Sequence, residues 1–163
     1  MASLRVLTTS EAAVAIEKLT GRPCSARRVR HLLVQCGIGT ELQARRRGET
    51  RLFSVLDLAF LKLAVELERQ GISSWVTRVV LTYQRKELIL ALRSLSHVAL
   101  AVSGLKGSVE PALKARPGGT AAWVPLREIW RGLEAEVADI RAAKPTVWMW
   151  RDVPVHVVKR STV

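Results

Sequence analysis

The stretch Ser25-Ala26-Arg27-Arg28-Val29-Arg30-His31-Leu32-Leu33 decides how this chain is read. Val29, Leu32 and Leu33 recur at helical spacing, Ser25 is suited to cap the helix N-terminus, and Gly37 supplies a stop. Arg27, Arg28, Arg30 and His31 fill the first turns. Upstream, Thr20-Gly21-Arg22-Pro23-Cys24 has the glycine and proline of a turn. Before that, Thr8 and Glu11 can satisfy two backbone donors reciprocally, ahead of Ala12, Ala13, Ile16 and Leu19. Two short helices joined by a turn follow, the first over about residues 9–19. The second carries its basic N-terminal end where a helix entering a major groove presents side chains to base edges.

Downstream, residues 42–53 read as two extended pieces around a Gly-centred turn, a β-hairpin whose tip carries Arg45, Arg46 and Arg47, with Arg51 on its return. From Ser54 the helical period resumes, with Leu58, Leu61, Val65 and Leu67 inward and Lys62, Glu66 and Arg69 outward, up to Gly71. Ser73 or Ser74 starts a further helix through Val79, Tyr83, Leu88 and Leu92 to about Leu95. Its apolar residues cover more than one face, as expected of a central core helix or a dimer interface.

After His97, residues 98–102, 108–115 and 120–126 are β-prone runs separated by Gly-rich turns, which predicts a three-stranded meander. An amphipathic helix over about residues 127–142 places Ile129, Leu133, Val137 and Ile140 on one stripe. The tail from Thr146 to Val158 offers an edge strand, because Pro154 cannot donate to a ladder. The predicted class is α+β: a winged helix-turn-helix over residues 1–95, then a small α/β domain over residues 96–163 with a short antiparallel sheet.

Charge narrows the function. The 163 residues contain 26 Lys and Arg against 14 Asp and Glu, a net charge of +12. Such a surplus favours polyanionic partners, nucleic acid before an anionic membrane surface. No apolar run is long enough to span a bilayer and no signal peptide opens the chain, so a cytoplasmic, nucleoid-associated protein is expected. Cys24 and Cys36 form no metal-ligand pattern and read as reduced thiols. His31, His97 and His156 share no ligand spacing, and Glu134 with Glu136 reads as a solvated helix face. Neither a nucleophile elbow nor a phosphate-binding glycine loop is present. The expectation is a non-enzyme without metal or cofactor.

Taken in order, these features resemble the MerR-type winged-helix family over roughly residues 7–82. Thr8 to Ala13 resembles its opening helix, Ser25 to His31 its recognition helix, and Gly48-Glu49-Thr50-Arg51-Leu52-Phe53-Ser54 its Gly-x-Arg-x-aromatic wing. Asp57, Leu61 and Gly71 follow in place. The resemblance implies DNA contact by Arg30 and Arg51; His31 stands where the family usually has tyrosine. It lends no support to metal sensing.

The expected DNA-binding residues are Ser25, Arg27, Arg28, Arg30, His31, Arg45, Arg46, Arg47 and Arg51. Most would grip phosphates, with Arg27 or Arg28 suited to base edges and the wing to backbone or minor groove. The leading expectation is a transcriptional regulator that binds double-stranded DNA as a homodimer, the C-terminal part supplying dimer or protein-partner contacts. An architectural protein of the excisionase type, which binds cooperatively and bends DNA, is the alternative. A non-DNA interaction module is the third. Trp123, Trp130, Trp148 and Trp150 suit either an aromatic core or a partner surface.

Overall fold

The computed structural model describes residues 7–38, 52–94, 97–112 and 118–143. Mixed helix and antiparallel sheet make up the described chain, as the α+β reading expects. Strand β1 (Leu7–Thr8) leads directly into helix α1 (Thr9–Thr20). Thr8 accepts from the Glu11 N–H, and the Glu11 carboxylate accepts from the Thr8 N–H at 2.8 Å, closing the expected capping box. A turn through Gly21 leads to α2 (Ala26–Gln35), whose Ser25 Oγ accepts from the Arg28 N–H at 3.2 Å. Gly37, at φ 61°, ends it as expected, and the Ile38 N–H reaches back to the Leu33 carbonyl at 3.1 Å.

Strand β2 (Leu52–Phe53) pairs antiparallel with β1, Leu7 opposite Phe53, so the return of the expected hairpin joins a strand that the sequence had not announced. The rest of that hairpin, including its basic tip, lies outside the described residues. Helix α3 (Val55–Arg69) begins with a second capping box, Ser54 with Asp57, and ends at Gly71. It is buried along most of its length from Leu56 to Leu67, which makes it the axis of the molecule.

The single helix expected from Ser74 to about Leu95 is divided into α4 (Ser74–Tyr83) and α5 (Arg85–Ser94). At Gln84, φ −94° and ψ 7° depart from helical values, yet its N–H still bonds the Val80 carbonyl and its carbonyl still accepts from Leu88 N–H. The break is therefore a bend within a continuing ladder. Arg85 lies with its guanidinium 5.0 Å from the centroid of the buried Phe60 ring, tying the start of α5 to α3.

Three strands follow: β3 (Val98–Ser103), β4 (Lys106–Pro111) and β5 (Ala122–Pro125). Their spatial order is β4-β3-β5, which corrects the expected meander. Ala99, Leu100, Ala101 and Val102 are consecutively buried, so β3 needs cover on both faces and takes the centre. Gly107, read from sequence as a turn residue, lies inside β4. A Cβ there would stand 2.5 Å from Val80 Cγ1, so the missing side chain lets β4 lie directly on α4.

The helix expected over 127–142 is also two, α6 (Leu126–Trp130) and α7 (Leu133–Ala143), divided by Arg131 and Gly132. Gly132 takes φ 80°, and a Cβ on it would meet Leu19 Cδ2 of α1 at 3.1 Å. Ile129, Leu133 and Val137 of the expected stripe are buried, and Ile140 is half-buried. One apolar cluster runs from Leu7 through α1–α5 and the sheet to Val137, continuous across the position of the expected boundary at residue 95. The tail beyond residue 143, with Trp148 and Trp150, lies outside the described residues.

Candidate nucleic-acid interface

At about 100° per residue, Val29, Leu32 and Leu33 fall on one side of α2 and are buried against α1 and α3. Arg27, Arg30, His31 and Val34 fall on the other and are exposed, Val34 to 67%. None of Arg27, Arg30 and His31 forms an ion pair or side-chain hydrogen bond among the described residues. Helix α2 has no carboxylate in its first turn. Its exposed face is thus cationic, shallow and unneutralised by its own helix, and Ser25 sits at its head.

Arg28 stands apart from its neighbours. It lies one step round the helix, at the margin of the buried sector, is half-buried, and forms an ion pair with Glu68 of α3. That pair holds the first turn of α2 against the last turn of α3. A partly exposed pair of this kind contributes about 0.2–1 kcal/mol. Two features of the support were missed at sequence level. Glu68 has no signal in the local pattern, since its partner is forty positions away. Arg78 of α4 lays its side chain across Gly37, whose hypothetical Cβ would be 3.0 Å from Arg78 Cγ, and so backs the C-terminal end of α2.

The turn ahead of α2 is fixed by Glu17, which accepts from the Cys24 N–H at 2.9 Å. Burial raises the pKa of the half-buried Cys24 thiol, and that of Cys36 is pushed up to about 11 by burial, with Glu68 adding to the effect. Both thiols are therefore protonated at neutral pH and poor nucleophiles. His97 Nε2 lies 3.0 Å from Arg127 Nη1. No group of His, Cys, Asp or Glu among the described residues could hold a metal ion, and no described helix is long and apolar enough to cross a membrane.

Of the nine residues expected to meet DNA, the structure brings together Ser25, Arg27, Arg28, Arg30 and His31 along one open hollow, which Val34 also lines. Arg45, Arg46, Arg47 and Arg51 lie outside the described residues. Trp123 and Trp130 are half-buried, whereas Trp75, Tyr83 and Leu90 of α4 and α5 are exposed. The inner face of those two helices, with Val80, Leu81, Leu88 and Leu92, belongs to the core. No protein-family model matches the chain, and no curated protein or solved structure matches it.

Proposed function

We propose that the protein binds duplex DNA as a winged helix-turn-helix of MerR-like type, α2 entering the major groove and the basic segment around Arg45–Arg51 serving as the wing. The observation that carries this reading is the outward face of α2, where Arg27, Arg30 and His31 have no counter-charge among the described residues. Residues 20–51 concentrate the charge further, with eight arginines against Glu41 and Glu49. Such a segment lowers its free energy by displacing condensed counterions from phosphates.

Within this reading Arg27 and Arg30 meet the DNA, Arg27 being placed for base edges nearest the N-terminal end. Arg28 is a positioning residue, because its guanidinium is engaged by Glu68. The protein acts as a transcriptional regulator and as a homodimer, since one small module makes few base contacts. Exposed Trp75, Tyr83 and Leu90 on α4 and α5 support a self-association face.

Anisotropy titration of labelled duplexes over a salt series tests the proposal. The R27A/R30A double variant loses roughly tenfold or more in affinity and lowers the salt slope by about 1–2, with an unchanged melting temperature. Equal affinity and slope in that folded variant would overturn the reading. Footprints that spread in register with protein concentration, in place of one protected site, would assign the binding to an architectural role.

A further inference from the structure

A cleft of about 590 Å³ opens where the end of α1 and the outer side of α3 face β5 and α6. Its size lies within the usual range for small-molecule sites. Leu19, Val65, Val124 and Ile129 contribute apolar surface, and the polar groups around it are unevenly matched. Glu66 is taken by Arg69, 2.9–3.0 Å from the Arg69 Nε, and Glu128 by Arg131 at 3.1 Å. That leaves two cations on the wall, Arg22 and Lys62, without a carboxylate partner among the described residues.

Lys62 is the more informative of the two. It projects from the middle of α3, is half-buried, and donates to the carbonyls of Glu128 at 2.8 Å and Arg131 at 3.1 Å. Both acceptors are neutral, so the ammonium retains its full charge and one of three N–H donors lacks a described acceptor. Burial lowers its pKa, and the nearby Glu128 and Glu66 carboxylates offset this only in part. A half-buried ammonium, an uncommitted guanidinium and an apolar floor are the elements of a site for a small molecule with one negative and one apolar end.

We propose that this cleft binds a small apolar monocarboxylate, its carboxylate between Arg22 and Lys62 and its hydrocarbon part on Leu19, Val65, Val124 and Ile129. The location gives the ligand a structural reach. Thr20, Arg22 and Val65 also line the adjoining hollow, which ends on the Arg28–Glu68 pair behind α2. Ligand binding therefore joins the α6 side of the molecule to the turn that carries α2.

Titration calorimetry of the full chain with cyclohexanecarboxylate and benzoate, with cyclohexylmethanol as neutral isostere, tests the site without nucleic acid. Its outcome is thus separate from that of the DNA-binding reading. At least one carboxylate binds saturably, the alcohol does not, and R22A weakens binding roughly tenfold, the loss of one charge-assisted contact. Arg22 is exposed and supports no described packing, so R22A folds. K62M keeps the aliphatic stem and removes the charge; where it folds, it too loses binding. No saturable heat with either carboxylate, equal binding of the alcohol, or full affinity in R22A would each overturn the proposal.

Discussion

The first four helices and helix α6 are built by different means. Helices α1, α2, α3 and α4 each start on a hydroxyl side chain, Thr8, Ser25, Ser54 and Ser73, that accepts from a backbone N–H of the first turn. Helix α6 starts at Pro125 with no side-chain cap, and its end is satisfied by Lys62 from α3. Strand β5 is likewise fixed from outside. The Gln70 side-chain amide donates to the Trp123 carbonyl at 3.2 Å and accepts from its N–H at 2.9 Å. Helices α1 to α4 carry their own start signals, whereas β5 and α6 are fixed by residues more than fifty positions away.

That contrast can be broken by mutation. The largest effect belongs to Leu100→Ala in β3, fully buried beneath both kinds of element. It lowers unfolding free energy by about 2–5 kcal/mol in urea titrations. Gly107→Ala follows, costing about 1–3 kcal/mol because α4 must move away from β4. A cost near zero would show that Val80 yields without strain. Ser54→Ala costs about 1 kcal/mol by removing a local cap; hydrogen exchange of that variant accelerates in α3 first. Gln70→Ala reverses the pattern, accelerating exchange at Trp123 and β5 while α1 and α2 keep their protection. Uniform acceleration throughout the chain would dissolve the distinction between the halves.

The smallest effect is pH-dependent. Glu66 bonds Arg69 and Gln70, and the Arg69 hydrogen bond holds its carboxyl below the usual value of 4.5. A group with a depressed folded pKa contributes stability that is present above its unfolded value and lost as pH falls through the folded one. Acid titration below about pH 4.5 therefore weakens the Glu66–Gln70 link, and β5 loosens in step. Glu66→Gln removes this part of the acid response, measured as a flatter melting-temperature curve below that pH.

This division also explains what was legible. Thr8 with Glu11, Ser25, and the stops at Gly37 and Gly71 are read within a few residues of where they act, so α1, α2 and α3 were visible in the sequence. The continuous burial of residues 99–102 is written in their apolar run, but the strand order depends on which neighbours cover them. Gln84 and Gly132 divide helices whose apolar stripes run on unbroken, and at Gly132 the close neighbour is Leu19, over a hundred positions earlier. At the candidate interface, the arginine cluster was plain. The separate place of Arg28 was half-legible, since it borders the Val29–Leu32 sector, but Glu68 could be assigned only by the packing of α2 on α3.

The Gln70 amide has one consequence beyond holding β5 in place. A sheet that ends in an unpaired strand exposes a row of donors and acceptors on which another chain can grow. At Trp123 both outward backbone groups are occupied by a single side chain, which imitates one residue of a neighbouring strand and then stops. Because Gln70 belongs to the end of a helix, it cannot propagate the ladder. The protein thus terminates its own sheet at that residue, a safeguard against intermolecular assembly in a chain this apolar.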